Sequence, residues 1–159
     1  MTPGSHEARQ EFFAFWQRQN FLRRLQEPER RRIGADLRIL LIALFGAIGT
    51  LARYGLQGFV QVRTGGTFPY GTLLVNLTGC FVLALTYQLT VNRMIISPDL
   101  RFAIGVGFFG GYTTFSSFGW ETAKMLEGGE WLPAAAYVTA SVVAGILLSV
   151  AGIRLASRF

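Results

Sequence analysis

From Gly105 to Trp120 the chain reads GVGFFGGYTTFSSFGW, without one charged side chain. A stretch this apolar can lie in a membrane, yet its middle is wrong for a plain spanning helix. Gly110 and Gly111 adjoin a cluster of hydroxyls, Thr113, Thr114, Ser116 and Ser117, and Phe115 and Phe118 punctuate that cluster at i, i+3. Glycine weakens a helix, and hydroxyls offer backbone groups an alternative partner. The pattern predicts a helix that breaks near its centre. Broken backbone at membrane depth is tolerated only where protein or a water-filled path surrounds it. The break is therefore the first candidate for a functional site.

Composition agrees with a membrane setting. The chain has 159 residues, of which 51% are hydrophobic and 15% charged. Soluble domains carry about 25% charged residues. Cys80 is the only cysteine and His6 the only histidine. An intrachain disulfide, a cysteine-rich metal site and histidine-based catalysis are thereby excluded. The net charge of +6 comes from arginines concentrated ahead of the first apolar segment. That placement suits a cytoplasmic membrane surface better than nucleic acid.

Residues 1–36 differ from all that follows. Arg9, Arg18, Arg23, Arg24 and Arg30 to Arg32 alternate with Glu7, Glu11, Glu27 and Glu29, while Phe12, Phe15, Trp16, Leu22 and Leu25 recur at roughly helical spacing. Two readings stand: an interfacial amphipathic helix ending near Pro28, or a disordered basic tail. No apolar core precedes a small-residue cleavage site, so a signal peptide is not expected.

Residues 37–159 read as four spans. Ile39 to Ala52 alone would cover about 21 Å as helix, short of the roughly 30 Å hydrocarbon core. The first span therefore runs from Leu37 to Val60 and carries Arg53 near its far end, with Gly46, Gly49 and Ala52 permitting close helix contact. The second lies at Gly71 to Thr90, after the turn signals Gly65-Gly66 and Pro69. The third is Phe102 to Trp120, bounded by Arg101 and Glu121, and it holds the break. The fourth is Trp131 to Ile153.

Twelve basic residues fall on the amino-terminal side of this arrangement and three, Arg53, Arg63 and Lys124, on the other. The positive-inside rule then puts both termini in the cytoplasm. Without the seven arginines preceding Arg38 the ratio is five to three, so the extension decides the orientation.

Within the four expected spans there is no Asp, Glu, Lys or His. Carboxylate-pair and acid–base catalysis are therefore not expected, nor is a proton-coupled exporter, which needs an ionisable group in the membrane. Neutral hydrogen-bonding groups remain. The Asn76 amide must find partners or be desolvated at a cost; its two N–H donors suit an anion, and helix-to-helix glue is the competing reading. Tyr137, Ser141 and Gly145 share one helical face at i, i+4, i+8, either as a narrow polar track or as a small-residue packing face. The Phe115 and Phe118 rings are either ordinary packing or, through their electropositive edges, donors to a small anion that a full charge would hold too tightly. A break at Gly110 to Thr114 frees carbonyl oxygens that suit a hard cation such as Na⁺. Arg53 is either a snorkelling anchor or part of a vestibule.

Three segments taken together resemble the Fluc/CrcB fluoride channel family. GFFGGYTTFSSF, Gly107 to Phe118, is similar to that family's third-span motif GFxGGxTTFSTF, with Ser117 in place of threonine. GAIGTLARY (Gly46 to Tyr54) and GTLLVNLTGCF (Gly71 to Phe81) support it, and the resemblance covers Leu37 to Arg154. It implies an all-α membrane protein with four transmembrane helices per subunit, the third broken. Two such subunits form an antiparallel, dual-topology dimer with two fluoride pores and a central structural Na⁺. The carbonyls of Gly110 and Thr113 would hold the Na⁺. Phe115, Phe118, Asn76, Tyr137, Ser141 and Thr114 would line the pore, Gly145 lacking the hydroxyl some relatives carry there. The function implied is passive fluoride export that relieves fluoride toxicity, not catalysis. The place implied is the plasma membrane, the inner one in a Gram-negative cell.

The charge bias fits a homodimer poorly, because opposed subunits need a chain that inserts both ways. An inverted partner of different sequence is the alternative. Outside this family, a small four-span multidrug or cation exporter and a non-transporting membrane assembly factor are the competing functions.

Overall fold

The computed structural model describes residues 4–93 and 96–159, with side chains from 34 to 90, from 96 onward, and at Gln17 and Arg18. The chain divides into two compact units, Met1–Ile39 and Leu40–Phe159. Among the described residues every regular element is helical.

Helix α1 runs Gly4–Thr64. The helix end expected near Pro28 is not there. A proline removes one donor and strains the preceding turn, but the remaining ladder continues through it. The amphipathic pattern expected of Phe12, Phe15, Trp16, Leu22 and Leu25 lies outside the described side chains. Gly65 and Gly66, with φ of 63° and 76°, make the turn out of α1, a left-handed conformation that glycine adopts without strain. Gln61 fastens this turn, donating from Nε2 to the carbonyls of Gly66 and Phe68, each at 3.2 Å. Helix α2 follows at Tyr70–Arg93.

The third apolar segment is assembled from pieces. Helix α3 spans Pro98–Phe102, with Ser97 Oγ accepting from Leu100 N at 3.3 Å and Pro98 at its start. Arg101 Nη2 donates to the Thr90 carbonyl at 3.0 Å, fixing this start to the end of α2. A π-helical stretch, Ala103–Phe109, leads into the single turn α4, Gly110–Tyr112. Thr113 and Thr114 are extended, and α5 resumes at Phe115–Glu127. Gly129, at φ 78°, turns the chain. Helix α6, Trp131–Thr139, then passes through a π-helical stretch, Ala140–Ala144, into α7, Gly145–Ala156.

Small residues set the packing. A Cβ on Gly107 would lie 2.8 Å from the Ile42 carbonyl, and one on Gly111 2.5 Å from that of Gly46. Gly49 faces the Phe108 backbone still more closely. So α1 lies directly on the 103–112 stretch, as its glycines led us to expect. On the other side Gly152 of α7 meets α2, its Cβ position 2.6 Å from the Phe81 carbonyl.

Among the described residues two small clusters form the core: Val75, Phe109 and Tyr112 at one, and Met125, Ala134 and Tyr137 at the other. Many large apolar side chains stay exposed, among them Leu44, Leu51, Leu132 and Leu147, an arrangement suited to lipid. Among the described residues three helical stretches, Gly34–Thr64, Tyr70–Thr90 and Trp131–Ala156, are long and apolar enough to cross a membrane.

Candidate functional site

The break is held open by a specific set of hydrogen bonds. Thr113 turns back on the preceding helix: its N–H and its Oγ1 both donate to the Phe109 carbonyl, at 3.0 and 2.9 Å. Thr114 caps α5, its Oγ1 accepting from Ser117 N at 3.2 Å, the usual way a threonine satisfies a helix N-terminus. The Thr114 peptide groups, lifted out of the ladder, pair with Asn76 of α2. Thr114 N donates to Asn76 Oδ1 at 2.8 Å, and Asn76 Nδ2 donates to the Thr114 carbonyl at 3.0 Å. Asn76 thus takes both partners that an unwound residue would otherwise lack. The amide has a second N–H, which these bonds leave over.

Rerouting these donors has a consequence for the carbonyls. In an unbroken helix Thr114 N would bond to the Gly110 carbonyl and Ser117 N to that of Thr113. They bond instead to Asn76 Oδ1 and Thr114 Oγ1. The Gly110 and Thr113 carbonyls therefore lose their helical donors. Gly110 is exposed, with no atom within 4 Å of a Cβ position, and Thr113 is half-buried. Two neutral backbone oxygens are the donor type a hard cation takes, though fewer than it needs.

Beside the break lies a cavity of about 280 Å³. Asn76, Thr113, Thr114, Phe115, Phe118 and Ser141 line it, together with Cys80 and apolar neighbours, and none of its lining residues is charged. Ser141 Oγ is buried and has no hydrogen-bond partner. The Phe115 and Phe118 rings stand 5.5 Å apart at 46°. Phe118 is half-buried, whereas Phe115 is 83% exposed.

Tyr137 is placed differently from Ser141. It is fully buried, 5.1 Å from the Phe118 ring, and its hydroxyl donates to Glu121 Oε2 at 2.7 Å. The π-helical stretch Ala140–Ala144 separates its turn from that of Gly145, and such stretches shift the facing of later residues.

Glu121 is the residue that sequence reasoning missed. It was expected at the edge of the third span. On α5, Phe115–Glu127, its half-buried carboxylate instead meets side chains of α2 and α6. Thr72 Oγ1 donates to Glu121 Oε1 at 2.6 Å, and Gln57 Nε2 donates to Thr72 Oγ1 at 3.0 Å. Gln57, Thr72, Glu121 and Tyr137 therefore form one chain of hydrogen bonds across α1, α2, α5 and α6. Glu121 also lines a second cavity, about 410 Å³, with Tyr54, Gln57, Gln61, Thr67 and Pro69. The signal in sequence was its spacing, three residues after Phe118, one turn on along the same face. Arg53, half-buried on α1, lies one turn before Gln57. Among the described residues no group of three or more His, Cys, Asp or Glu is placed to hold a metal.

Residues 40–153 match the family described as "CrcB-like protein, Camphor Resistance (CrcB)". The chain belongs to this family. The CrcB-like match takes in every residue of the site and leaves out the extension. A relative from Citrifermentans bemidjiense, named "Fluoride-specific ion channel FluC", is 49% identical over 118 residues, 74% of this chain and 95% of its own length. A second of that name, from Geobacter metallireducens, is 49% identical over 107 residues, 67% of this chain and 86% of its own. A third, from Chloroflexus aurantiacus, is 41% identical over 121 residues, 76% of this chain and 96% of its own. CrcB-like membership and three span-length apolar helices make this a multi-pass membrane protein.

Proposed function

We propose that this chain is a passive, fluoride-selective channel, built from two four-span subunits in opposed orientations. The broken third segment, Pro98–Glu127, would add a crossing to the three long apolar helices. The reading is carried by the neutral donor set around that break: the spare Asn76 N–H, the unpartnered Ser141 hydroxyl and the Phe115 and Phe118 rings around one uncharged cavity. Relatives named as fluoride-specific channels support it.

Fluoride is small and strongly hydrated, so a pore must replace water's hydrogen bonds. Amide, hydroxyl and ring-edge donors supply them without a fixed positive charge, so the ion is bound and then released. A passage too narrow for chloride discriminates by size and by unmet desolvation. Fluoride enters acidified cells as HF, dissociates in the more alkaline cytoplasm, and leaves through the channel down its electrochemical gradient. The protein is a channel and not an enzyme. Its place is the plasma membrane, the inner one in a Gram-negative cell.

The second subunit completes what one chain leaves open. Phe115 lines the cavity yet is 83% exposed, and Gly110 is exposed too. An inverted copy would cover both, and the carbonyls of Gly110 and Thr113 from each subunit would together hold a structural Na⁺. That ion would offset the partial negative charge of converging carbonyls and tie the subunits at their centre. Arg53 acts as an anchor that biases anions toward the mouth. The four-span exporter is the weaker reading. Glu121 does supply a carboxylate, so the expected absence of one no longer argues against an exporter, but both its oxygens are already hydrogen-bonded within the protein.

The test is fluoride efflux from liposomes holding only this purified protein, with valinomycin carrying K⁺ and chloride as the control. Rapid fluoride efflux with negligible chloride efflux is the expected result. A folded preparation that passes neither ion, even with a co-expressed inverted partner, overturns the reading.

A further inference from the structure

We infer that the Cys80 thiol lines the ion path and stands in for the hydroxyl that Gly145 lacks on the facing helix. The inference rests on the channel reading above. Cys80 follows Asn76 by one turn of α2, on the same face, and both line the central cavity. Gly145 follows Ser141 by four residues and is buried. A Cβ built on Gly145 would meet Cys80 Sγ at 3.5 Å, ordinary van der Waals contact. The sulfur therefore occupies the space next to where a side chain at 145 would project.

Two further observations point to a ligand there. Ser141 lines the same cavity and its Oγ is buried with no hydrogen-bond partner, so that wall holds a polar group with nothing in the protein to bind. Cys80 and Leu83 also line an adjoining cavity of about 320 Å³, with Tyr87, Gly105 and Ser149. Cys80 thus borders both cavities. A thiol is a weak neutral donor, cheaper to desolvate than an amide and unable to trap an anion by charge. A small anion leaving Asn76 and Ser141 would meet it next.

The experiment is fluoride efflux from liposomes, wild type against Cys80→Ala, Cys80→Ser and the double variant Cys80→Ala/Gly145→Ser. Cys80→Ala should lower the rate by about three- to tenfold, the factor one neutral hydrogen bond carries. Cys80→Ser should hold the wild-type rate. Gly145→Ser should restore flux to the Cys80→Ala protein, which a purely structural role for Cys80 would not produce. The wild-type protein supplies a second measurement, since Cys80 is its only cysteine. Methyl methanethiosulfonate is attacked by the Cys80 thiolate; a mixed methyl disulfide forms and methanesulfinate leaves. Protein whose mass shows complete methylthiolation should lose flux, and dithiothreitol should restore it. Wild-type rates in both Cys80→Ala and the fully methylthiolated protein would overturn this inference alone. A wild type that passes no fluoride would overturn the channel reading and this inference with it.

Discussion

Asn76 shows how a polar residue in an apolar helix can hold a structure and still keep a donor in reserve. Its amide pairs with both peptide groups of Thr114. Asn76→Asp keeps an acceptor for Thr114 N but sets an anionic oxygen against the Thr114 carbonyl. We expect fluoride flux to be abolished and the melting temperature in detergent to fall, because a buried group left unpaired costs about 1–3 kcal/mol. Unchanged flux would remove Asn76 from the path. Thr114→Ala takes away the α5 cap, worth about 1 kcal/mol, and Thr114→Ser should recover most of it in the same thermal assay. Phe118→Ile should cut throughput while the protein stays folded by size-exclusion chromatography. Glu121→Ala leaves the protons of Thr72 and Tyr137, 1% and 0% exposed, without their acceptor. Its destabilisation should exceed that of Thr114→Ala, for two donors are orphaned at once.

At the scale of elements, the third segment is a jointed rod. Arg101 fixes its start to α2, glycines let α1 lie against its first half, and Asn76 seats the break. Close approach makes the glycines unequal. Gly111→Ala drives a Cβ to 2.5 Å from the Gly46 carbonyl, whereas a Cβ on Gly58 meets nothing within 4 Å. We expect Gly111→Ala to lower the melting temperature and the flux together, and Gly58→Ala to leave both near wild type. Equal effects would mean that α1 and the third segment do not pack as described. Pro28 is a lesson in the other direction. A proline argued for a helix end by local rules, but α1 continues through it.

For the whole molecule, the family match begins at residue 40, so the basic extension lies outside it. Deleting residues 1–36 should leave fluoride flux per protein intact in liposomes, where insertion bias no longer matters. In cells it should change orientation, because the basic ratio drops from twelve to three to five to three. Carboxy-terminal reporter fusions active only in the cytoplasm or only outside it would read this. The full chain should favour the cytoplasmic reporter and the deletion should show both. A deletion with the full chain's bias would point to a fixed orientation and an inverted partner of different sequence.

The helical membrane class and the place of the break are legible in the order of residues. Runs without charge can be buried only in lipid or protein, and glycines beside hydroxyls make an uninterrupted helix unfavourable there. The neutral character of the residues around the break is legible there too. Tertiary structure alone decided how those residues divide their bonds. Asn76 closes on Thr114, Tyr137 donates to Glu121 and the Ser141 hydroxyl is left buried without a partner, because each choice depends on which helix faces which across tens of residues. Glu121 stood at a boundary in the sequence, where an acidic residue reads as solvated. Only the packing of α5 against α2 and α6 gave its half-buried carboxylate the hydroxyls of Thr72 and Tyr137 as partners.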